Sequence, residues 1–468
     1  MNFTTPEFAA FFAVVFGLYY VPSFRTLQVW ILILGSLVFY AWSQPALLGL
    51  LIVSYLITGT TSFLVLRSPL ARPAAPAAVG VILNLAVLAF FKYKFLFLSS
   101  QAGAGHLHET GLVATLLVLP LPIGISFYTF HGISLLVDAL RNEEPFFRTY
   151  SKGLGRHFLD TALYLVFFPQ LIAGPIAKAK NFCPQIRGKA FRAIPWESAL
   201  RCLVTGIFLK IVVADNLAQQ TFWISPPYFE ALSSLALTTL LVGYSCQIFA
   251  DFAGYSLIAI GLASLLGYQL PQNFNFPYLS QSISEFWRRW HMSLSSWLRD
   301  YLYVPLGGSR RGGLRTYLNL FIVMFLGGLW HGAAWSFAVW GTWHGIGLAL
   351  ERPFLNSPLY MSNSKLVALT RTAIVFAFVS MGWLLFKLTN IADAAGYARA
   401  IYANRSLSTN WWMIVLTVVY GLPVAAYHAF QLLRADRREA LRPYCYAAMI
   451  FLIIFNPGPT QPFVYFQF

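Results

Sequence analysis

Long apolar runs separated by short polar joints make up most of the chain. They lie near 8–21, 28–42, 46–66, 77–98, 111–139, 159–177, 199–214, 232–268, 314–330, 333–350, 368–388, 411–432 and 444–456. Several exceed the ~18 residues that a helix needs to cross the hydrocarbon of a bilayer. They do not alternate with the period of two that a membrane β-barrel strand requires. The pattern predicts an all-α polytopic membrane protein with roughly eleven to thirteen membrane helices, some of them re-entrant. No Gly-, Ser- or Pro-rich linker divides the chain and no internal repeat is visible, so a single membrane domain over 1–468 is expected.

Polar side chains concentrate in one stretch, Ser282 to His344. Its first half reads as a helix. Ser282 and Glu285 stand in the S-x-x-E spacing of a capping box. At 100° per residue Trp287, Trp290, Leu294, Trp297, Leu298 and Tyr301 share one side. Glu285, Arg288, Arg289, Ser295, Ser296, Arg299 and Asp300 share the other, with Met292 a misfit and His291 on the seam. A helix so divided suits an interfacial or in-plane position rather than a span through lipid, and a plain interfacial anchor would show the same pattern. The second half is apolar from Phe321 to Trp330 and then reaches His331. Gly327, Gly328 and Gly332 around it leave room for close backbone approach. An ionisable group at membrane depth is a functional candidate because its burial is costly; the plain alternative is a neutral core histidine. His344, in a similar Trp343-His344-Gly345 triplet, is a decoy for the same reasoning.

Two other runs carry helix breakers at membrane depth, Leu119–Phe130 with Pro120, Pro122 and Gly124, and Phe167–Ile176 with Pro169, Gly174 and Pro175. Non-helical backbone there must be buried in protein or line a cavity, so each marks either a pocket or a packing kink. Asp251 stands alone in an apolar run, where an ion pair with Arg288 or Arg289, or a role orienting a histidine, would offset its burial. His106, His108 and Glu109 form only a weak metal-ligand pattern, and no metal site is expected.

Composition sharpens this picture. The chain is 58% hydrophobic and 10% charged, with formal charge +16. In a membrane protein such an excess reports cytoplasmic basic loops and anionic lipid headgroups rather than nucleic acid. The clusters Lys178–Arg192, Arg310–Arg315, Arg434–Arg442 and Arg67 with Arg72 are therefore assigned to the cytoplasmic side, and the loop around His106 to the other. The four scattered cysteines form no C-x-x-C pair, so neither a disulfide framework nor structural zinc is expected. The N-terminus lacks a basic n-region, and Phe8–Tyr20 is expected to be a retained first helix.

Histidines beside a broken-helix cavity suit general-base attack of a hydroxyl on an activated acyl carbon, with nearby donors steadying the oxyanion. The basic loops would attract an anionic, nucleotide-bearing thioester. No P-loop, G-x-S-x-G or G-x-G-x-x-G occurs. A transporter, or a non-catalytic docking subunit of a polysaccharide synthesis or modification complex, would satisfy the residues alone equally well.

The run Glu285–Gly308, containing Phe-Trp-Arg-Arg-Trp-His291, resembles the signature of the membrane-bound O-acyltransferase family in its bacterial alginate O-acetyltransferase branch. So do Gly328–Trp335, Phe168–Pro175, Asp251–Ser256, the opening Thr5–Phe8 and the closing Phe463–Phe468. The resemblance implies a ring of tilted helices with re-entrant and in-plane helices around a central tunnel, and a catalytic core at about 115–350. It implies that His331 is the catalytic base and His291 the upstream polar partner. Trp330, Trp335, Arg288, Arg289, Arg299, Asp300, Asp251 and Ser295 become candidates for binding donor or substrate or supporting the site. Acetyl-CoA is the implied donor, used as substrate with no bound cofactor. The implied setting is the bacterial inner membrane, with membrane lipids, a periplasmic acetyltransferase partner, a synthesis and export complex and a polysaccharide acceptor of alginate or cellulose type. Ala253 replaces the usual serine, and Leu257 stands where the branch has an acid. D-alanylation of teichoic acid, carried out by another branch, fits these motifs less well.

Overall fold

The apolar runs become helices that stop where proline, glycine or a captured backbone group interrupts them. The computed structural model describes residues 1–67, 73–98, 119–141, 153–355, 357–362 and 364–464. Among these no strand occurs. Among the described residues, seven helices are long and apolar enough to cross a membrane: Pro22–Ser43, Pro45–Arg67, Ala74–Lys94, Ser234–Leu265, Gly313–His331, Lys365–Lys387 and Trp411–Phe430. The protein is an all-α polytopic membrane protein. Other apolar runs give shorter or interrupted helices. Pro6–Tyr20 has 15 residues and Trp335–Glu351 has 17, and the run near 199–214 passes from an α-helix into a π-helical turn at Phe208–Ala214. His106, His108, Glu109 and Arg72 lie outside the described residues.

The chain forms two units, one of Met1–Leu200 with Ala259–Pro271, the other of Arg201–Ile258 with Gln272–Phe468. In the first, Asn84 Nδ2 donates to Thr58 Oγ1 at 3.2 Å, joining Leu48–Arg67 to Ala74–Leu98. The two proline-broken runs meet there. Residues 119–124 are non-helical, and Ile125–Arg141 starts after Gly124 at φ 78°. A Cβ on Gly124 would lie 2.6 Å from the Leu171 carbonyl, beside the one-turn helix Phe168–Leu171. Each break therefore packs against the other, and this close backbone approach is what their glycine and prolines permit.

The second unit holds the polar stretch. Gly313–His331 and Trp335–Glu351 form a helical hairpin turned by Gly332. A Cβ on Gly328 would penetrate the Phe337 carbonyl, and one on Gly341 would penetrate that of Met324. Small residues on both helices thus allow backbone-to-backbone packing. The expected single amphipathic helix over Ser282–Tyr301 is corrected to three pieces: Ile283–Arg289, Met292–Leu298 and a π-helical turn Arg299–Tyr303. Its start is as the capping pattern predicts, since Ser282 Oγ accepts from Glu285 N at 2.9 Å. The Glu285 carboxylate, however, reaches back to Gln281 N at 2.8 Å rather than to Ser282. Met292 was a misfit because the helix restarts there.

Candidate active site

His291 occupies the break between the two short helices. Its backbone is left-handed, at φ 43° and ψ 52°, a region costly for a residue with a Cβ. Asn273 holds the chain in this conformation. Its carbonyl accepts from Met292 N at 2.9 Å, while its side-chain Oδ1 accepts from Ser293 Oγ at 2.6 Å and faces His291 Nδ1 at 3.2 Å. Ser293 N also donates to Oδ1, at 3.4 Å, and because a backbone N–H can only donate it fixes the amide orientation, leaving Asn273 Nδ2 to donate to Ser256 Oγ at 2.9 Å. Because Oδ1 can only accept, His291 Nδ1 carries the proton and the lone pair of the neutral ring lies on Nε2. Burial lowers the pKa of His291 from its ordinary value to about 3, so the ring is neutral near pH 7.

His331 closes the Gly313–His331 helix and is buried. Its ring centroid is 6.4 Å from that of His291. Trp340 and Phe386 meet it edge to face at 5.1 and 5.2 Å, and Trp330 packs at 5.1 Å. His331 lines a cavity of about 460 Å³ whose wall also includes Trp287, Ser295 and Trp340 and the exposed Arg288, Arg299 and Arg352. The cavity thus joins a buried imidazole to a basic, exposed margin.

Glu351 fixes the helix that forms this wall. Its carboxylate accepts from Ile283 N at 2.6 Å and from Ser284 N at 3.0 Å, two backbone donors left open at the helix start. The Tyr360 hydroxyl donates to the same group at 3.2 Å.

Of the expected site residues, His331, Arg288, Arg299 and Ser295 line the cavity. Arg299 also pairs with Asp300 at 2.8 Å. Arg289 pairs with Glu285 at 2.7 Å, and Trp330 is buried beside both histidines. Trp335 is exposed. The expected pairing of Asp251 with Arg288 or Arg289 is corrected: its partner is Lys210, at 2.9 Å. His344 is buried among Trp287, Trp340 and Phe378, one layer behind the cavity wall. Pattern reading missed Asn273, Lys210, Glu351 and Arg352. Lys210 alone had a signal available, an isolated lysine inside an apolar run.

The family model described as MBOAT, membrane-bound O-acyltransferase family, matches residues 78–391. The chain belongs to this family. As a membrane-bound O-acyltransferase it is similar over most of its length to bacterial relatives. It is 37% identical over 422 residues to the probable alginate O-acetylase AlgI of Pseudomonas aeruginosa, covering 86% of this chain and 75% of the relative. It is 35% identical over 441 residues to the probable alginate O-acetylase AlgI of Pseudomonas syringae, covering 90% and 80%. It is 33% identical over 478 residues to the peptidoglycan O-acetyltransferase of Helicobacter pylori, covering 90% and 86%. The protein is an O-acyltransferase, of the alginate O-acetyltransferase-like branch.

Proposed function

We propose that the chain is an inner-membrane O-acetyltransferase for a secreted polysaccharide, with His331 as general base and His291 beside it. The observation that carries this reading is the cavity that has His331 on its wall and three exposed arginines at its margin. An acetyl thioester with an anionic carrier, of which acetyl-CoA is the expected example, suits that charge. Its phosphates would meet Arg288, Arg299 and Arg352 while the acetyl carbon enters the apolar interior. His331 takes the proton from the acceptor hydroxyl as its oxygen attacks the acetyl carbonyl. The C–O bond forms, the C–S bond breaks, and the proton leaves with the thiol. Relatives named for alginate and for peptidoglycan favour a polysaccharide as final acceptor. A cytoplasmic donor and an outside polymer require the acetyl group to cross the membrane, with a periplasmic transferase and an export complex as the expected partners.

Purified protein in liposomes, with labelled acetyl-CoA outside and a glycan acceptor and periplasmic partner supplied on either side in turn, tests this. Label should reach the glycan with wild type and fail to do so with His331→Ala inserted at normal levels. Transfer persisting in that variant removes His331 from its role. No donor consumption with every component present points to a docking subunit instead.

A further inference from the structure

The segment after the last helix is fastened to the protein interior by buried polar groups. Ala435–Phe455 ends, and Asn456 to Val464 continues without regular helix. Gly458 N donates to the Ile211 carbonyl at 2.7 Å, within the π-helical turn Phe208–Ala214. A π-helical turn pairs its backbone out of α register, which suits contact with a second segment. A Cβ on Gly458 would lie 2.7 Å from Asn216 N, so only glycine approaches this closely.

Lys210 sits at the centre of the attachment. Its ammonium donates to Asp215 Oδ1 at 2.7 Å and to the Gln461 carbonyl at 3.0 Å, and pairs with the Asp251 carboxylate at 2.9 Å. Asp251 Oδ2 accepts from Val464 N at 2.7 Å. Lys210, Asp215 and Asp251 are all almost fully buried. Ionic groups are seldom gathered this deeply merely to hold a non-helical segment, because apolar packing does so at least as well.

The attached segment delivers one ring. Phe463 is fully buried and stacks on Tyr255 at 4.4 Å with 20° between the planes. It packs against Phe252 at 5.9 Å. Phe252 in turn meets the His291 ring edge to face at 4.6 Å and 89°. The contacts run Lys210–Asp251 to Val464, Phe463 to Phe252, and Phe252 to His291. Asn273 Oδ1 faces Nδ1 of the same imidazole at 3.2 Å.

We propose that Asn456–Val464 is a positioning strap for His291, with Phe463 bracing the Phe252 wall of the imidazole and Val464 pinned by Asp251. The proposal rests on His291 belonging to the acyl-transfer site. The strap residues are positioning residues, since Phe463 acts through Phe252. The Lys210–Asp251 pair thereby has a task that an apolar pair could not perform, because only a carboxylate accepts the Val464 N–H while also holding the lysine.

Val464→Pro removes the N–H that Asp251 accepts, and Val464→Ala keeps it. Phe463→Ala removes the brace by an independent route. Each variant is compared with wild type in liposomes for kcat and KM. In parallel, the rate of carbethoxylation of His291 by diethyl pyrocarbonate is read by mass spectrometry against His344. The expected result is a fall in kcat on the order of tenfold with KM unchanged in Val464→Pro and Phe463→Ala, as a slightly displaced catalytic group produces. His291 labelling should quicken in both variants relative to His344, and Val464→Ala should match wild type. Unchanged relative labelling of His291 in both variants overturns the strap, whatever happens to activity or stability. Full activity of His291→Ala would remove the site reading on which the proposal rests, and the labelling ratio would still decide whether the strap positions the ring.

Discussion

Asn273 Oδ1 lies 3.2 Å from His291 Nδ1 and accepts the hydroxyl proton of Ser293 as well, so one amide sets the tautomer and the backbone turn of a buried histidine. Asn273→Leu takes a partner from four polar groups at once, Ser256 Oγ, His291 Nδ1, Ser293 N and Ser293 Oγ, and frees the left-handed turn at His291. Each buried group so stranded costs about 1–3 kcal/mol. Activity is expected to fall on the order of a hundredfold, as misplaced catalytic groups lose. Asn273→Asp keeps the acceptor but adds a negative charge beside the ring, which favours the imidazolium. Its acidic limb in a kcat–pH profile should move to higher pH than that of wild type. An unmoved limb would mean that His291 does not report on the reaction.

The titration of His291 also has a stability signature. The ring takes up its proton near pH 3 when folded and near pH 6.5 when unfolded. Between these values the unfolded state binds more protons, so the contribution of His291 is full above pH 6.5 and is lost as pH falls towards 3. Thermal unfolding in detergent should show His291→Phe flatter than wild type across that window and parallel to it above. Parallel curves throughout would show that folding does not lower the pKa of the histidine.

Glu351 tests how the cavity wall is held. Glu351→Ala removes the acceptor of two helix-start donors and should lower stability by about 1–2 kcal/mol. Because Ile283–Arg289 carries both Trp287 and Arg288 to the cavity, the KM for the acetyl donor should rise in the same variant. A stability loss with unchanged KM would place Glu351 outside the donor's reach.

Much of this architecture is legible in residue pattern, and the misses share a cause. The apolar runs give the helices, and Ser282 with Glu285 gives the true start of the polar stretch. Its interior was misread because Trp287, Trp290, Leu294 and Trp297 keep helical spacing straight through a break. A seven-residue helix on either side of the two-residue break at Trp290 and His291 hardly disturbs a 100° pattern. The break is set by Asn273, eighteen positions away, and such capture leaves no periodic trace. Asp251 was recognisable as a paired ion, yet its partner Lys210 lies in another helix. Local spacing identifies a group that needs a partner and is silent on which remote side chain supplies it.

The glycines of the histidine hairpin separate packing from tolerance. Gly328→Ala forces a Cβ into the Phe337 carbonyl, which the hairpin relieves only by parting. Overpacking of this kind typically costs about 1–3 kcal/mol, and a backbone obstacle leaves less room to relax. Gly327→Ala meets only the end of Leu298, at 3.3 Å. The first variant should lose thermal stability, and the second should keep it. Equal behaviour of the two would deny the close helix contact.

His344 and His331 share the Trp-His-Gly motif and differ in what they face. The His331 ring borders the cavity, whereas Trp287 and Trp340 stand between His344 and it. A general base must reach the proton it removes, within hydrogen-bond distance or through one water. Trp287 and Trp340 deny His344 that reach, so His344→Phe should retain most of its acetyl transfer and lose chiefly stability. His331→Ala should lose transfer by on the order of 10²–10⁴-fold at equal insertion, the usual worth of a general base. The comparison of the two variants is sharper than either alone, because both delete an imidazole from the same hairpin and only one deletes it from the cavity. If both lose transfer equally, the loss belongs to the hairpin's packing, and the base must be sought in His291, held by Asn273.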